Sequence, residues 1–169
     1  MLARVTGVPG RPHIAAVLME RNPGRFETMQ QVFDEYLGAG KKAHMARPFS
    51  LTVAQAIALV KNAGGVPVLA HPGVYSGIDP IAAVRNAHAA GLEGVEVFYP
   101  YGGPDGGRWV ARIEALAREL GLLQSGGTDF HGRAGESVDV GDVGLTPRQF
   151  AALKTGWQQL RSKRPAEKV

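Results

Sequence analysis

The chain has 169 residues, and its 44% hydrophobic content suits a single domain with a sizeable core. It contains no cysteine, which excludes disulfides, thiolate catalysis and zinc sites built on sulfur. The formal charge is +4, but residues 161–169 alone hold four basic side chains and one carboxylate, so the rest of the chain is nearly neutral and its charge does not indicate a nucleic-acid-binding surface.

Residues 1–50 are predicted to form a helical insertion segment. A short helix is expected around Ile14–Glu20 and a longer one with an apolar stripe from Phe26 to Leu37, whereas no strand pattern is evident. Met1–Gly10 lacks the apolar stretch of a signal peptide, and no run in the chain approaches the about 18 apolar residues of a membrane span. We therefore expect a cytoplasmic protein that does not enter a membrane.

Residues 51–146 repeat one pattern three times: an amphipathic helix, a glycine stop, a short apolar strand and a polar cluster. The helices are predicted to begin near Thr52, at Pro80 after an Asp79 cap, and before Val110. The strands are predicted at 66–70, 95–99 and 122–125. The glycine stops at 64, 91 and 121 have the spacing of successive βα units, so the sequence indicates an α/β fold with a parallel sheet or barrel.

A last helix is predicted at residues 147–160. Phe150, Leu153, Trp157 and Leu160 would form its inner face, and a disordered basic tail, 161–169, would follow. Three βα units cannot close a barrel, because an open parallel sheet leaves unpaired edges and an uncovered face. We therefore expect that part of the structure is missing or comes from another chain.

Candidate metal ligands lie where two of the predicted strands end. His71 ends the first strand, and Pro72 is expected to hold it extended with its imidazole directed out of the sheet. Asp129 and His131 are two residues apart on a segment predicted to be extended, so both side chains should point to one side. Imidazole and carboxylate together suit Mn²⁺, Fe²⁺ or Zn²⁺, and the absence of thiols favours a hydrolytic site.

Each candidate also has a structural alternative. A histidine before proline can bond to backbone, and an Asp-x-His pair after Gly-Gly-Thr can be a turn closed by the aspartate. The position of both groups at strand ends of one repeat favours the metal site. His88 falls within a predicted helix and is expected to be partly buried there, and His44 lies in a loop with no assigned role.

Two motifs resemble those of the PHP (polymerase and histidinol phosphatase) superfamily. Val68-Leu69-Ala70-His71-Pro72-Gly73 and Gly127-Thr128-Asp129-Phe130-His131-Gly132 are similar to its third and fourth metal motifs. Gly10-Arg11-Pro12-His13-Ile14-Ala15 narrows the resemblance to the branch of the 3′,5′-nucleoside bisphosphate phosphatases, also described as 5′-to-3′ exoribonucleases. The likeness extends from about Arg11 to about Leu145.

The resemblance implies a distorted (β/α)₇ barrel with a helical insertion and a cluster of two or three divalent metals, most simply Mn²⁺, with Zn²⁺, Fe²⁺ or Mg²⁺ as alternatives. The family's first motif, His-x-His followed by Asp, and its bridging Glu precede the Arg-Pro-His segment, and this chain has no His-x-His. We therefore expect the C-terminal portion of such a barrel, completed by an N-terminal PHP fragment or a partner chain. Alone, the chain is expected to bind metal weakly and to lack useful activity.

Carried over by position, His71, Asp129 and His131 match metal ligands, and Arg11 and His13 match the segment that binds the substrate phosphate. A guanidinium can hold two phosphate oxygens and an imidazole can donate to a third, although Arg11 and His13 could equally begin a helix around Pro12. No further catalytic residue is assigned. Glu96 and Tyr99 either orient the ligands or pair with neighbours on the strand.

The implied activity is metal-dependent hydrolysis of phosphate from nucleoside 3′,5′-bisphosphates or the ends of short RNA. Two alternatives stay open. One is a non-catalytic remnant of a PHP domain that binds a nucleotide, RNA or a protein. The other is a histidinol-phosphatase-like enzyme, which the Arg-Pro-His segment and the helical insertion disfavour.

Overall fold

The computed structural model describes residues 10–44, 49–75, 77–102, 106–132 and 136–163, and the chain divides into two units, Met1–Ser50 and Leu51–Val169. The elements in chain order are α1 (Arg11–Arg21), α2 (Met29–Val32), a π-helical turn (Phe33–Leu37), α3 (Val53–Asn62), β1 (Val68–Leu69), a 3₁₀ turn (Pro72–Val74), α4 (Pro80–Ala89), β2 (Gly94–Phe98), α5 (Gly106–Glu119), β3 (Leu123–Gly126) and α6 (Pro147–Ser162).

The first unit is helical over its described residues, and it has a small core of its own. Ala15 from α1 packs with Phe26, Val32 and Leu37, which all come from the predicted apolar stripe. The predicted single helix over this stripe is wrong in detail, because four α-helical residues pass into a π-helical turn that ends at Gly38. Gly38 lies against the main-chain oxygen of Phe33, where an added Cβ would be only 2.8 Å away.

The helix starts of the second unit follow the predicted chemistry. The Thr52 side chain accepts the N–H of Gln55 at the start of α3. Asp79 accepts from Ile81 and Ala82 at the start of α4, where Pro80 occupies the first position. Helices α3, α4 and α5 are followed by the predicted glycines Gly64, Gly91 and Gly121, all with positive φ.

The three strands form a parallel sheet with the order β1-β2-β3, as the repeated βα pattern predicts. Strand β1 is shorter than predicted: it has two residues instead of five. Pro67 explains part of the difference, because proline has no N–H to donate to a neighbouring strand. Its carbonyl nevertheless accepts from Glu93 and Gly94 beside β2.

The core of the second unit lies around β2 and the two helices that flank it. Val95 and Val97 of β2, Val84 of α4 and Ile113 of α5 are fully buried and belong to one apolar cluster. The hydrophobic effect therefore fixes β2 at the centre of the sheet, with its carboxyl end between those of β1 and β3.

The outer helices are less buried than the sequence predicts. In α3 only Ile57 is buried, and Val53 remains 57% exposed. The predicted inner face of α6 is covered only in part, because Leu153 and Leu160 are half-buried whereas Phe150 is 58% and Trp157 38% exposed. The helix meets β3 at Gly156, where an added Cβ would collide with the Leu123 side chain. The helix continues to Ser162, so the predicted start of the disordered tail at Arg161 is wrong, and residues 164–169 of that tail lie outside the described residues.

Over the described ranges, the helices are all too short or too polar to cross a lipid bilayer.

Candidate metal centre

Parallel strands bring the predicted ligands to the same edge of the sheet. His71 belongs to the loop that leaves β1 (residues 70–75, the β1 loop), and Asp129 and His131 belong to the loop that leaves β3 (residues 127–132, the β3 loop). The carboxyl ends of parallel strands are where α/β proteins assemble binding sites. The topology therefore places both loops on either side of the end of β2.

The side chains of His71, Asp129 and His131 converge. The Nε2 atom of His71 lies 3.9 Å from one carboxylate oxygen of Asp129, and Nε2 of His131 lies 3.9 Å from the other. Both separations exceed a hydrogen bond. Asp129 thus presents each oxygen to a different imidazole, and the three side chains are 25%, 47% and 44% exposed in chain order.

The backbone at this site differs from the predicted extended conformation. His71 has φ 25° and ψ 62°, and Asp129 has φ 55°. Among the described residues these are the two non-glycine positions with positive φ. Such conformations cost about 1–3 kcal/mol each and cluster at functional sites. The prediction that Pro72 holds His71 extended is therefore wrong, because the chain enters the 3₁₀ turn Pro72–Val74 directly after His71.

Glu96 connects the loops that carry the ligands. Its side chain, on β2, accepts the main-chain N–H of His71 at 2.9 Å. The β1–β2 register pairs Leu69 with Val95, so Glu96 lies level with the residues that leave β1. Its other oxygen faces the β3 loop, since a Cβ added to Gly127 would lie 3.8 Å from it. Of the two sequence alternatives for Glu96, this contact favours a role in orienting the ligand loop.

Three tyrosines surround His71 and Glu96. The ring centroids of His71 and Tyr99 are 5.0 Å apart, and those of Tyr99 and Tyr101 are 5.2 Å apart. Burial raises the pKa of Tyr99, and the nearby carboxylates of Asp129 and then Glu96 raise it further. Burial also raises the pKa of Tyr75, with a smaller contribution from Glu96. The phenols therefore stay protonated and able to donate near neutral pH.

A second glutamate, Glu136, holds His131. The main-chain N–H of His131 donates to both carboxylate oxygens of Glu136, each at 3.2 Å. The Nδ1 atom of the same imidazole is 3.6 Å from Glu136 Oε1, while its Nε2 atom faces Asp129. This arrangement, with a carboxylate on one side of the ring, is common behind histidine ligands. The role of Glu136 was not predicted from the sequence, because no spacing rule connects it to His131 across a loop.

The donor chemistry of the site fits a divalent metal. Two imidazoles and a carboxylate are the donor set of first-row transition metals, and the Nδ1 atom of His71 is buried with no hydrogen-bond partner among the described residues. However, no three His, Asp or Glu side chains in the described ranges are arranged closely enough to hold an ion by themselves. Among the described residues, these three donors therefore converge without forming a complete metal site.

Arg11 and His13 belong to the first unit, and their described contacts are local. Arg11 donates to the main-chain oxygen of Leu37 at 3.2 Å, and its guanidinium lies over the Phe33 ring. His13 Nδ1 accepts the N–H of Gly10 at 3.0 Å, at the start of α1. These contacts match the helix-start alternative, and the phosphate-binding role of both residues stays a prediction.

The chain is similar to two proteins of named activity and to one solved structure. The chain is 36% identical over 127 residues to the 5′-3′ exoribonuclease Rnm of Escherichia coli. It is 30% identical over 161 residues to the 3′,5′-nucleoside bisphosphate phosphatase of Chromobacterium violaceum. A solved structure from Bifidobacterium adolescentis, described as a metal-dependent phosphoesterase, superposes with a TM-score of 0.69 at 30% identity. No family model matches the chain.

The chain spans about half the length of the proteins it matches. The alignments cover 74% and 93% of this chain, but only 41% of the exoribonuclease and 53% of the phosphatase. The superposition covers 87% of this chain and 50% of the solved structure. The similarity therefore covers about one half of each relative, and the other half of each relative has no counterpart in these 169 residues.

Proposed function

This chain belongs to the PHP superfamily of phosphoesterases, and we propose that it contributes His71, Asp129 and His131 to a metal-dependent active site. The complete site would hydrolyse phosphate from nucleoside 3′,5′-bisphosphates or from the ends of short RNA. The observation that carries the proposal is the convergence of both imidazoles on the two oxygens of Asp129, 3.9 Å away in each case. The names of the relatives support the substrate class.

Each residue of the site has a defined part in this proposal. Asp129 supplies negative charge and, with the two imidazoles, would provide some of the ligands of a divalent cation, for which Mn²⁺ is our first choice and Zn²⁺, Fe²⁺ and Mg²⁺ are alternatives. Such a cation supplies Lewis acidity for phosphoester hydrolysis. Tyr99 lies beside His71, and its phenol carries a proton that it can donate to a phosphoryl oxygen.

Arg11 and His13 are proposed to bind the substrate phosphate. Arg11 is suited to this because a planar guanidinium can hold two phosphate oxygens at once. Its present partners are one carbonyl oxygen and the face of Phe33, so it can exchange them for an anion without breaking an ion pair that the described residues make. His13 would first have to give up its hydrogen bond from Gly10.

We further propose that polypeptide outside these 169 residues supplies the remaining ligands, as an N-terminal PHP fragment or a partner chain. The small donor set supports this, together with the half-length alignments. So do the exposed apolar side chains on the outer helices, among them Val53, Leu59 and Phe150, each more than half exposed. Burial of these side chains against further polypeptide would be favourable, because it removes apolar area from water.

The experiment compares the chain alone with the chain combined with the polypeptide encoded immediately upstream. Both are assayed for phosphate release from adenosine 3′,5′-bisphosphate in the presence of Mn²⁺, with Asp129→Asn as the control variant. We expect activity only in the combined sample, and we expect it to disappear in the variant. Activity that persists in Asp129→Asn, or no activity in either sample, contradicts the proposal.

A second candidate function is non-catalytic binding of a nucleotide or RNA, which the incomplete donor set favours. It is recognised in the same samples by salt-dependent RNA binding that survives both chelation and the Asp129→Asn substitution, because binding through phosphates alone depends on salt and not on the metal.

A further inference from the structure

Both histidines of the site share a feature that their sequence motifs do not show. The main-chain N–H of each one donates to a glutamate side chain: His71 to Glu96 at 2.9 Å, and His131 to Glu136 at 3.2 Å to each oxygen. The two glutamates come from different parts of the chain. Glu96 is within β2, and Glu136 follows the β3 loop.

We infer that Glu96 and Glu136 are positioning residues that fix the two histidine ligands through their backbone. This inference rests on the proposed metal site and deepens it. Neither glutamate is assigned as a ligand. Each carboxylate accepts the main-chain N–H of a histidine, and the Nε2 atom of that histidine's imidazole faces Asp129.

The backbone of His71 explains why an anchor is needed there. Because β1 ends at Leu69, the strand ladder provides no acceptor for the N–H of His71. His71 also adopts φ 25°, which is unfavourable for any residue other than glycine. A charged acceptor 2.9 Å from the N–H offsets this cost, since hydrogen bonds to carboxylates are stronger than those between neutral groups.

The position of Glu96 allows it to set the distance between the two ligand loops. Its carboxylate contacts the β1 loop through His71 and approaches the β3 loop at Gly127, two residues before Asp129. A change at Glu96 therefore moves His71 relative to Asp129. A change at Glu136 acts on His131, because Glu136 contacts both the main-chain N–H and the imidazole of that residue.

The test measures backbone position and metal binding separately, by NMR on the 169-residue chain. The first readout is the hydrogen exchange rate of the His71 and His131 amides. The second is the Mn²⁺ concentration at which the broadening of the two imidazole signals reaches half of its maximum (the Mn²⁺ midpoint). This paramagnetic broadening detects even weak binding. Variants are Glu96→Ala, Glu96→Gln, Glu136→Ala and Glu136→Gln. Glu119→Ala is the matched control, because Glu119 pairs with Arg85 through two hydrogen bonds on the helices.

We expect Glu96→Ala to accelerate exchange at the His71 amide and to raise the Mn²⁺ midpoint by about 10-fold or more, as loss of groups behind metal ligands typically does. Glu96→Gln retains an oxygen that can accept the N–H, so it should restore both readouts to within about 3-fold of the wild type. Glu136→Ala should accelerate exchange at His131 and leave the His71 amide unchanged. Glu119→Ala should alter neither readout.

The inference is wrong if Glu96→Ala leaves the His71 amide and the Mn²⁺ midpoint as they are, or if Glu96→Gln behaves like a folded Glu96→Ala. If Glu96→Ala does not fold, the Gln variant and the Glu136 pair decide the question. A wild-type chain with no Mn²⁺ broadening at either imidazole counts against the proposed metal site, whereas the amide measurements still decide whether the glutamates fix the backbone.

Discussion

The two loops that meet at Asp129 are built in different ways. The β1 loop is packed: Pro72 is fully buried, the His71 ring contacts Tyr99, and the Tyr75 hydroxyl donates back to the Ala70 oxygen at 2.6 Å. The β3 loop is open, since Asp129, Phe130 and His131 are all exposed. The β1 loop is held by aromatic packing, whereas His131 in the β3 loop is held by the hydrogen bonds of its main-chain N–H to Glu136.

Because the two loops are held differently, substitutions in them should affect stability and metal binding to different extents. Substitutions in the β1 loop should affect both the free energy of unfolding and the affinity for metal, because the ligand is part of the packed structure. Substitutions in the β3 loop should affect metal binding with little change in stability. The four predictions below test this contrast.

The largest effect is expected for Asp129→Ala. Both imidazoles face this carboxylate, so its loss should weaken Mn²⁺ binding beyond the about 10- to 100-fold typical for loss of an outer-shell group. Asp129→Asn is the matched variant, because asparagine tolerates positive φ and retains the shape without the charge. Titration calorimetry of both variants checks this, and an affinity for Asp129→Asn within 3-fold of the wild type (on the order of RT in free energy) would contradict it.

The second effect concerns packing behind the β1 loop. A Cβ at Gly73 would lie 2.6 Å and 2.7 Å from two ring carbons of Tyr101, so Gly73→Ala must displace the ring or the loop. Overpacking of this kind costs about 1–3 kcal/mol, which denaturant unfolding can measure. Gly107→Ala is the control, because its Cβ meets no atom within 4 Å and the residue is helical. It should be neutral or slightly stabilising.

A third comparison replaces each histidine by asparagine. His71→Asn loses the ring contact with Tyr99, which should cost about 0.5–1.5 kcal/mol of unfolding free energy, while asparagine accepts the positive φ. His131 lies on the exposed loop, so the free energy of unfolding of His131→Asn should stay within about 0.5 kcal/mol of the wild-type value. Equal losses of stability in the two variants would show that the loops do not differ in this way.

The smallest expected effect is a decrease in the free energy of unfolding at alkaline pH. Burial, more than the nearby Glu96 carboxylate, raises the pKa of Tyr101 from 10.0 to about 12. Between these values the unfolded chain loses the phenolic proton and the folded chain keeps it, so stability is fully present below pH 10 and falls as pH rises toward 12.

Tyr101→Phe removes this titration. The variant should be slightly less stable at pH 8, through loss of the hydrogen bond to the Glu96 main-chain oxygen, worth about 0.5–1.5 kcal/mol. Its free energy of unfolding should then decline less than that of the wild type between pH 9.5 and 11.5, the range in which a phenol of ordinary pKa near 10 ionises. Parallel declines in the two proteins would exclude Tyr101 as the source.

Periodicity predicted the second unit well, because its elements depend on local chemistry. The helix start near Thr52, the cap at Asp79 and the stops at Gly64, Gly91 and Gly121 all fall where the sequence placed them. His88 is half-buried in α4, also as predicted. The parallel sheet follows from the same repeat.

The errors occur where contacts distant in sequence decide the structure. The rule that a residue before proline is extended fails at His71, where the N–H bonds to Glu96 of the next strand. The segment containing Asp129 is likewise not extended at that residue, although its side chain still faces His131. The contact between Glu136 and His131 joins two residues of irregular structure, whose relative position no spacing rule predicts. Helical spacing predicted an apolar face on α6, but it could not show which part of the chain would cover that face.

The sequential order of the strands has a consequence for how this polypeptide forms during synthesis. Residues paired across the sheet are 26 positions apart between β1 and β2, at Leu69 and Val95, and 29 apart between β2 and β3, at Val95 and Gln124. Each strand can therefore join the one made just before it, closing a loop of similar length and similar entropic cost each time. During synthesis β1 and β2 can therefore pair before β3 is made, and the two ligand loops come together when β3 joins this sheet.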